Sequence, residues 1–303
     1  MDADLAADTA VRPDPDVPGR YHLRIGGSWD YLLPSGGVVM TCALRAALAE
    51  LGDPQLRFAS ATTMFCTPIH PTDVIADVAV LRRGKATAQV RVGLRHRDAR
   101  PPDPEDPTDN ARGLEMTATF VRDRKGPDVV ARPFPVVRGL ADALPVEDGA
   151  PANPHTRFRF YQQLECRIAD GERLWAGEPA AGPARFARWF RYRQPQRDAE
   201  GRLDRLALPP LMDTMPTALH RAIGPGPYRF FAPSLDLTTY VVDDTDREWV
   251  LVVATIPRAR AGWAIAEVDV WDDQQRYLAH GSQAMYIQGV TGEPPVIDAS
   301  GRG

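Results

Sequence analysis

The side chains that could carry chemistry are few and scattered along the chain. Cys42, Cys66 and Cys166 lie far apart, with no CxxC or Cys/His spacing. That argues against a disulfide framework and a structural zinc site, and it suits a reducing cytoplasm. His70 precedes Pro71, and His280 lies in a strand-like run; neither has a metal-like partner in sequence. No metal site is therefore expected. No Gly-x-Ser-x-Gly elbow, P-loop or dinucleotide fingerprint occurs. What remains are carboxylates and amides in apolar surroundings. Asp213 opens a helical stretch, where an Asp ordinarily caps backbone N–H groups and can also act as a base. Gln283 interrupts an apolar strand, and a buried amide must find partners. His220, seven residues beyond Asp213, can share a helix face with it, and it also suits the negative end of the helix dipole. Arg185, Arg188, Arg191 and Arg193 gather near Trp189 and Tyr192. Along a strand Arg185 and Arg191 share one face and Arg188 takes the other; the plain reading is a solvated strand.

The elements that must position these residues are mostly strands. The run 86–95 alternates, with Ala88, Val90, Val92 and Leu94 on one face and Gln89, Arg91 and Arg95 on the other. Runs at 73–82 and 114–121 have the same character, and RRGK at 82–85 suits a hairpin turn. One helix stands out at 37–51. It is apolar nearly all round, so it must be covered on most sides, and Gly52 ends it. Gly36 and Gly37 open it with no side chain to block close approach. In the second half, 210–223 is a shorter helical candidate; Pro216 belongs in a first turn, which puts the start near Asp213. Strand runs follow at about 229–241, 248–256, 263–271 and 278–287.

The order helix-then-strands therefore occurs twice. RFASATTMF (57–65) resembles RFFAPSLDLTTY (229–240), DVIADVAV resembles EWVLVVAT, and LEMTATFV resembles LAHGSQAM. The offset, about 165–175 residues, suggests a duplicated unit rather than a solenoid. The expected organisation is a flexible arm at 1–20, a first domain at 21–138, a linker at 139–156, a second domain at 157–288 and a tail at 289–303. The Pro- and acid-rich stretch 100–113 reads as an exposed loop between strands. With 36 Lys+Arg against 40 Asp+Glu, the net charge of −4 offers no basic field for nucleic acid or an anionic membrane. No run of 18 apolar residues predicts a membrane span, and the acidic start lacks the apolar core of a signal peptide.

A helix wrapped by a long antiparallel sheet, present twice, resembles the double hotdog fold, an α+β architecture. The motifs sharpen the likeness. PSGGVVMTCALRAAL resembles the Gly-Gly helix entry of the acyl-CoA thioesterase II (TesB-like) family, and SLDLTTYVVDDTDREWVLVVAT resembles its second-half strand, acidic turn and Glu-Trp pair. DDQQRYLAHGSQAMYI resembles its closing strand, with Gln275-Arg276 where Asp-Gly is usual. The resemblance covers roughly residues 21–288. It implies an acyl-CoA or acyl-carrier thioester substrate, hydrolysis by water, no cofactor, and two sheets paired edge to edge within one chain, alone or as a homodimer. The family's Asp, Ser/Thr and Gln fall on Asp213, Ser234 and Gln283, with Asp236 a rival carboxylate. Asp213 would accept a proton from water that Ser234 and Gln283 help to hold. Amides of Gly36, Gly37 or Val38 at the helix entry would polarise the thioester oxygen. Val38, Val39 and Cys42 would line an acyl groove, and Arg185, Arg188 and Arg191 would seat coenzyme A phosphates. The G-D-x-N-P-x-H run of hotdog hydratases is absent, which disfavours an Asp213/His220 dehydratase; the alternatives are a non-catalytic thioester binder and a different hotdog enzyme, a hydratase or an acyl-transferring biosynthetic tailoring enzyme.

Overall fold

The computed structural model describes residues 3–103, 105–106, 108–147, 150, 152–176 and 181–297. Parts of the 100–113 loop, the 139–156 linker and the 289–303 tail lie outside these described residues.

Alternation of apolar and polar residues produces long antiparallel strands, and the apolar face of each half closes over a helix. In the first half these are β1 (Arg20–Arg24), β2 (Arg57–Phe65), β3 (Asp73–Arg83), β4 (Thr87–His96) and β5 (Leu114–Val121), with helix α1 (Gly36–Leu51). Ala88, Val90, Val92 and Leu94 of β4 are all buried, as their spacing predicts. So are eleven of the sixteen residues of α1, the result of a helix apolar on most sides. Gly52 ends it in the left-handed conformation at φ 56°. The second half contributes β6 (Leu164–Asp170), β7 (Arg185–Tyr192), β8 (Asp236–Val241), β9 (Val250–Arg260), β10 (Trp263–Asp272) and β11 (Tyr277–Tyr286). Two-residue strands Arg12–Pro13 and Leu144–Pro145 add an edge at each end. Among the described residues all thirteen form one sheet, ordered β1-β3-β4-β5-β2-β8-β11-β10-β9-β7-β6 between those edges. The halves join where β2 pairs antiparallel with β8, centred on Thr62 opposite Thr238. This is the edge-to-edge double hotdog.

Three expectations need correction. The arm at 1–20 is not free: Leu5 is fully buried in a one-turn helix capped by Asp4. Ala3 and Ala6 amides donate to Gln163 and Gln196, and Trp29 donates to Asp8, so the arm is docked on the second half and the α1 entry. The helix expected from Asp213 is broken in two, α2 (Leu208–Met212) and α3 (Pro216–Ile223). Asp213 ends α2, its amide donating to Pro209, and Pro216, lacking an N–H, starts α3. The strand run 229–241 is interrupted at Pro233, and its first part, Arg229–Phe231, pairs with Gln288–Thr291 in a small separate sheet.

The connection between the halves is packed. Phe134, Val137, Leu140 and Ala143 cover the outer face of the second sheet, against Trp189, Leu251, Val253 and Trp271. Among the described residues no helix is long and apolar enough to cross a membrane.

Candidate active site

The first turn of α1 and the break between α2 and α3 meet at the seam of the halves. Their closeness depends on Gly37. A Cβ there would lie 2.3 Å from the Pro209 carbonyl oxygen, far inside contact distance. At Gly36 a Cβ would lie 2.7 Å from the Phe65 ring and 3.1 Å from Asp213 Oδ2. The glycines are thus needed for the approach of α2 to α1.

Into this junction projects Asp213, only 7% exposed. Its Oδ2 accepts from the Gly37 amide at 3.0 Å and from Ser35 Oγ at 3.2 Å; its Oδ1 accepts from Ser234 Oγ at 3.0 Å. The Gly36 amide lies nearby without a well-aligned bond to the carboxylate, and it too favours the charged form. Burial raises the carboxyl pKa above its ordinary 3.8, although the donors from Gly37, Ser234, Ser35 and Gly36 all pull the other way. Desolvation therefore wins over hydrogen bonding, and the acid is poised closer to neutrality than a surface carboxylate.

Gln283 approaches from the sheet. Gly281, Gln283 and Met285 are the buried, inward residues of the C-terminal half of β11. A Cβ on Gly281 would lie 2.6 Å from Met212 Cε, so this face looks onto the residue preceding Asp213. Ser234 bridges to Met285 on the same strand. Gln283 is 2% exposed, and neither Nε2 nor Oε1 has a protein partner among the described residues. An amide buried with both ends open marks a site completed by something other than protein, a water or a ligand.

The structure thus brings Asp213, Ser234, Gly36 and Gly37 into direct contact and turns Gln283 toward them. Ser35 belongs to the set and was missed; its position one residue before a Gly-Gly helix entry was the available signal. The first-turn amides are not free, as the oxyanion expectation required. Gly37 is taken by Asp213, and Val38 and Val39 donate to Ser35 O. Asp236 lies on the opposite face of the sheet from Leu237 and Thr239, and its Oδ1 accepts from the Ala284 amide at 2.8 Å. It is a strand-pairing residue and no rival base. His220 stacks on Phe230, ring centroids 4.3 Å apart, and makes no hydrogen bond to Asp213.

The arginine expectation also fails in geometry. Arg185 pairs with Asp170, and Arg191 with Glu165 and Glu248. Arg188 is 4% exposed, so no phosphate reaches it. Large aromatic side chains on both faces of β7 bury the strand on both sides, and the alternation that would expose an arginine is lost.

Thr62 and Thr238 hydrogen-bond across the seam, and the Gly37–Asp213 bond joins the same two halves.

Comparison with known proteins agrees with this architecture. Residues 25–121 match the acyl-CoA thioesterase N-terminal domain, and residues 140–287 match the acyl-CoA thioesterase C-terminal domain. None of the curated proteins matches the chain. Among solved structures, a hotdog-fold protein of unknown function from Alicyclobacillus acidocaldarius superposes with a TM-score of 0.72 at 19% identity, covering 96% of this chain and 98% of its own. A candidate thioesterase from Novosphingobium aromaticivorans gives 0.69 at 23% identity, covering 92% and 99%. The acyl-CoA thioesterase II TesB2 from Mycobacterium marinum gives 0.63 at 17%, covering 96% and 100%. At these identities the structures speak for the fold; the two domain matches, in order and on the two halves that the sheet joins, show that the chain belongs to the acyl-CoA thioesterase family.

Proposed function

We propose that the chain hydrolyses acyl thioesters, acyl-CoA foremost, by direct attack of a water molecule at Asp213. The observation that carries this reading is the state of the Asp213 carboxylate. A carboxylate offers about four lone-pair positions. Oδ2 accepts from Gly37 and Ser35, while Oδ1 accepts from Ser234 and retains room for one more donor. A water donating to Oδ1 would have its second hydrogen accepted by Gln283 Oε1, leaving a lone pair for the thioester carbon. The amide Nε2 of Gln283 would donate to the thioester oxygen.

Electrostatics support the order of events. The positive end of α1 holds the carboxylate before attack. As Asp213 takes the water's proton its claim on the Gly37 amide weakens, just as negative charge grows on the neighbouring thioester oxygen. The tetrahedral intermediate then collapses, the C–S bond breaks, and Asp213 returns the proton to the departing thiolate. No covalent acyl-enzyme is needed. The acyl chain would run between α1 and the sheet.

The test is release of free thiol from a panel of acyl-CoAs, short to long and one aromatic. Turnover on at least one member that requires Asp213 is expected. No turnover on any coenzyme A or carrier-protein thioester, with binding retained, would overturn the reading in favour of a non-catalytic binder.

A further inference from the structure

Arg188 is a buried cation in the middle of β7, on the inner face with Phe186 and Phe190. Its guanidinium carbon lies 4.8 Å from the Phe190 ring centroid, 5.3 Å from Tyr161 and 5.5 Å from Phe186. Among the described residues no carboxylate pairs with it. An unpaired buried cation is costly to keep, and a leucine or methionine would fill this aromatic cage without the desolvation.

What the fork holds explains its presence. Nη2 donates to the Thr214 carbonyl at 3.0 Å. That carbonyl belongs to the break between α2 and α3, where the helical pattern stops and free carbonyls attract a cation. Thr214 is the residue next to Asp213. Nη1 donates to Tyr161 Oη at 2.9 Å. The Tyr161 ring packs edge-on against Tyr31, centroids 5.4 Å apart. Tyr31 starts the loop that leads through Ser35 into Gly36. Its hydroxyl is buried, lacks a well-aligned hydrogen-bond partner among the described residues, and lies close enough to Tyr161, Asp213 and Arg188 to feel the charge of each. The fork therefore reaches both sides of the junction: the Thr214–Met215 peptide of the second half, one residue beyond Asp213, directly, and the Tyr31–Ser35 loop of the first through one tyrosine.

We infer that Arg188 is a positioning residue for Asp213, holding the helix break and, through Tyr161, the α1 entry so that the carboxylate meets the Gly37 amide. This rests on the proposed hydrolysis for its kinetic consequence, but not for its structural one.

Three variants test it: Arg188→Met, which keeps the volume and removes the fork; Arg188→Lys, which keeps the charge; and Tyr161→Phe, which removes one hydroxyl. Each is measured at a temperature where its melting curve shows a fully folded protein. Because a misplacement of about 1 Å can cost about 100-fold in rate, kcat of Arg188→Met should fall by about that factor with KM little changed. Arg188→Lys, with one bond in place of two, should recover about tenfold of that loss, and Tyr161→Phe should lose about tenfold. Independently of activity, hydrogen exchange of the Gly37 amide, followed by NMR, should accelerate at least tenfold in Arg188→Met and detectably in Tyr161→Phe, while amides in mid-α1 keep their rates. Unchanged Gly37 protection in folded Arg188→Met and in Tyr161→Phe would overturn the inference. So would a uniform loss of protection along α1, or a kcat loss no larger than the fraction unfolded. Should Arg188→Met not fold, Tyr161→Phe decides by the same two readings. A wild type that hydrolyses no thioester would end the hydrolysis proposal, and Gly37 exchange would still decide this one.

Discussion

Replacing Asp213 by Asn separates what the residue does for the reaction from what it does for the fold. The fixed donor on the carboxylate is the backbone amide of Gly37, which cannot turn away. An Asn must therefore place its oxygen at Oδ2, toward Gly37 and Ser35, and its NH2 at Oδ1, toward Ser234. The Ser234 hydroxyl can rotate to accept, so no polar atom is orphaned. The protein's acid has a folded pKa raised above 3.8, first of all by burial. For a raised acid the sign runs one way: its contribution to stability is whole only below the unfolded pKa and is lost as pH rises through the folded value. Above that value the ionised Asp213 carries a desolvation penalty that Asn sheds, while Asn gives up about 1 kcal/mol for each charge-assisted bond that becomes neutral. The two effects oppose each other. The melting temperature should hold within about 4 °C or rise. Activity should fall about 10²- to 10⁴-fold, the usual share of a general base. Thiol release gives the rate and scanning calorimetry the stability. The acid limb of the kcat profile, set by Asp213 in the wild type, should be absent from the variant's residual rate. A kcat within about threefold of wild type would place the base elsewhere. Loss of activity together with a melting temperature lower by about 8 °C or more would make Asp213 a structural residue.

Gln283→Met removes two unpartnered buried polar atoms, so it should stabilise the protein by about 1–3 kcal/mol while abolishing most thiol release; denaturant unfolding beside the kinetic assay checks both signs. Gly37→Ala drives a Cβ to 2.3 Å from the Pro209 carbonyl oxygen, so α2 must retreat; about 1–3 kcal/mol of stability and nearly all activity should go, whereas Gly126→Ala, with open space around it, should change neither. Arg205 ties the seam: it binds Asp244 at 2.6 Å and donates to Phe58 O at 2.8 Å and Val241 O at 3.3 Å. Arg205→Met should cost about 3 kcal/mol at neutral pH. Asp244, although half-buried, is held below its ordinary pKa by Arg205, Arg57 and Arg202. For this lowered acid the stabilisation is present above the unfolded value of 3.8 and is lost as pH falls through the folded one, so the gap between wild type and variant should close in acid unfolding titrations below that pH.

Legibility followed the range of the physics involved. The strand at Thr87–His96 was readable because its burial alternates, and the helix at Gly36–Leu51 because a long apolar run ends at a glycine, both signals lying inside one element. The docked arm was not, since Leu5 is a single apolar residue whose anchors, Gln163 and Gln196, come from the other half. Nor was the inward turn of Arg188, because Phe186, Trp189 and Phe190 fill both faces of its strand and erase the period. The site itself was half legible for a related reason. Its side chains were found, but the state of the α1 amides depends on a contact 176 residues away. A side chain at position 37 is excluded from that contact, because its Cβ would stand where the Pro209 carbonyl already is. The bare glycine of the first half is thus a condition for the carboxylate of the second to reach its amide.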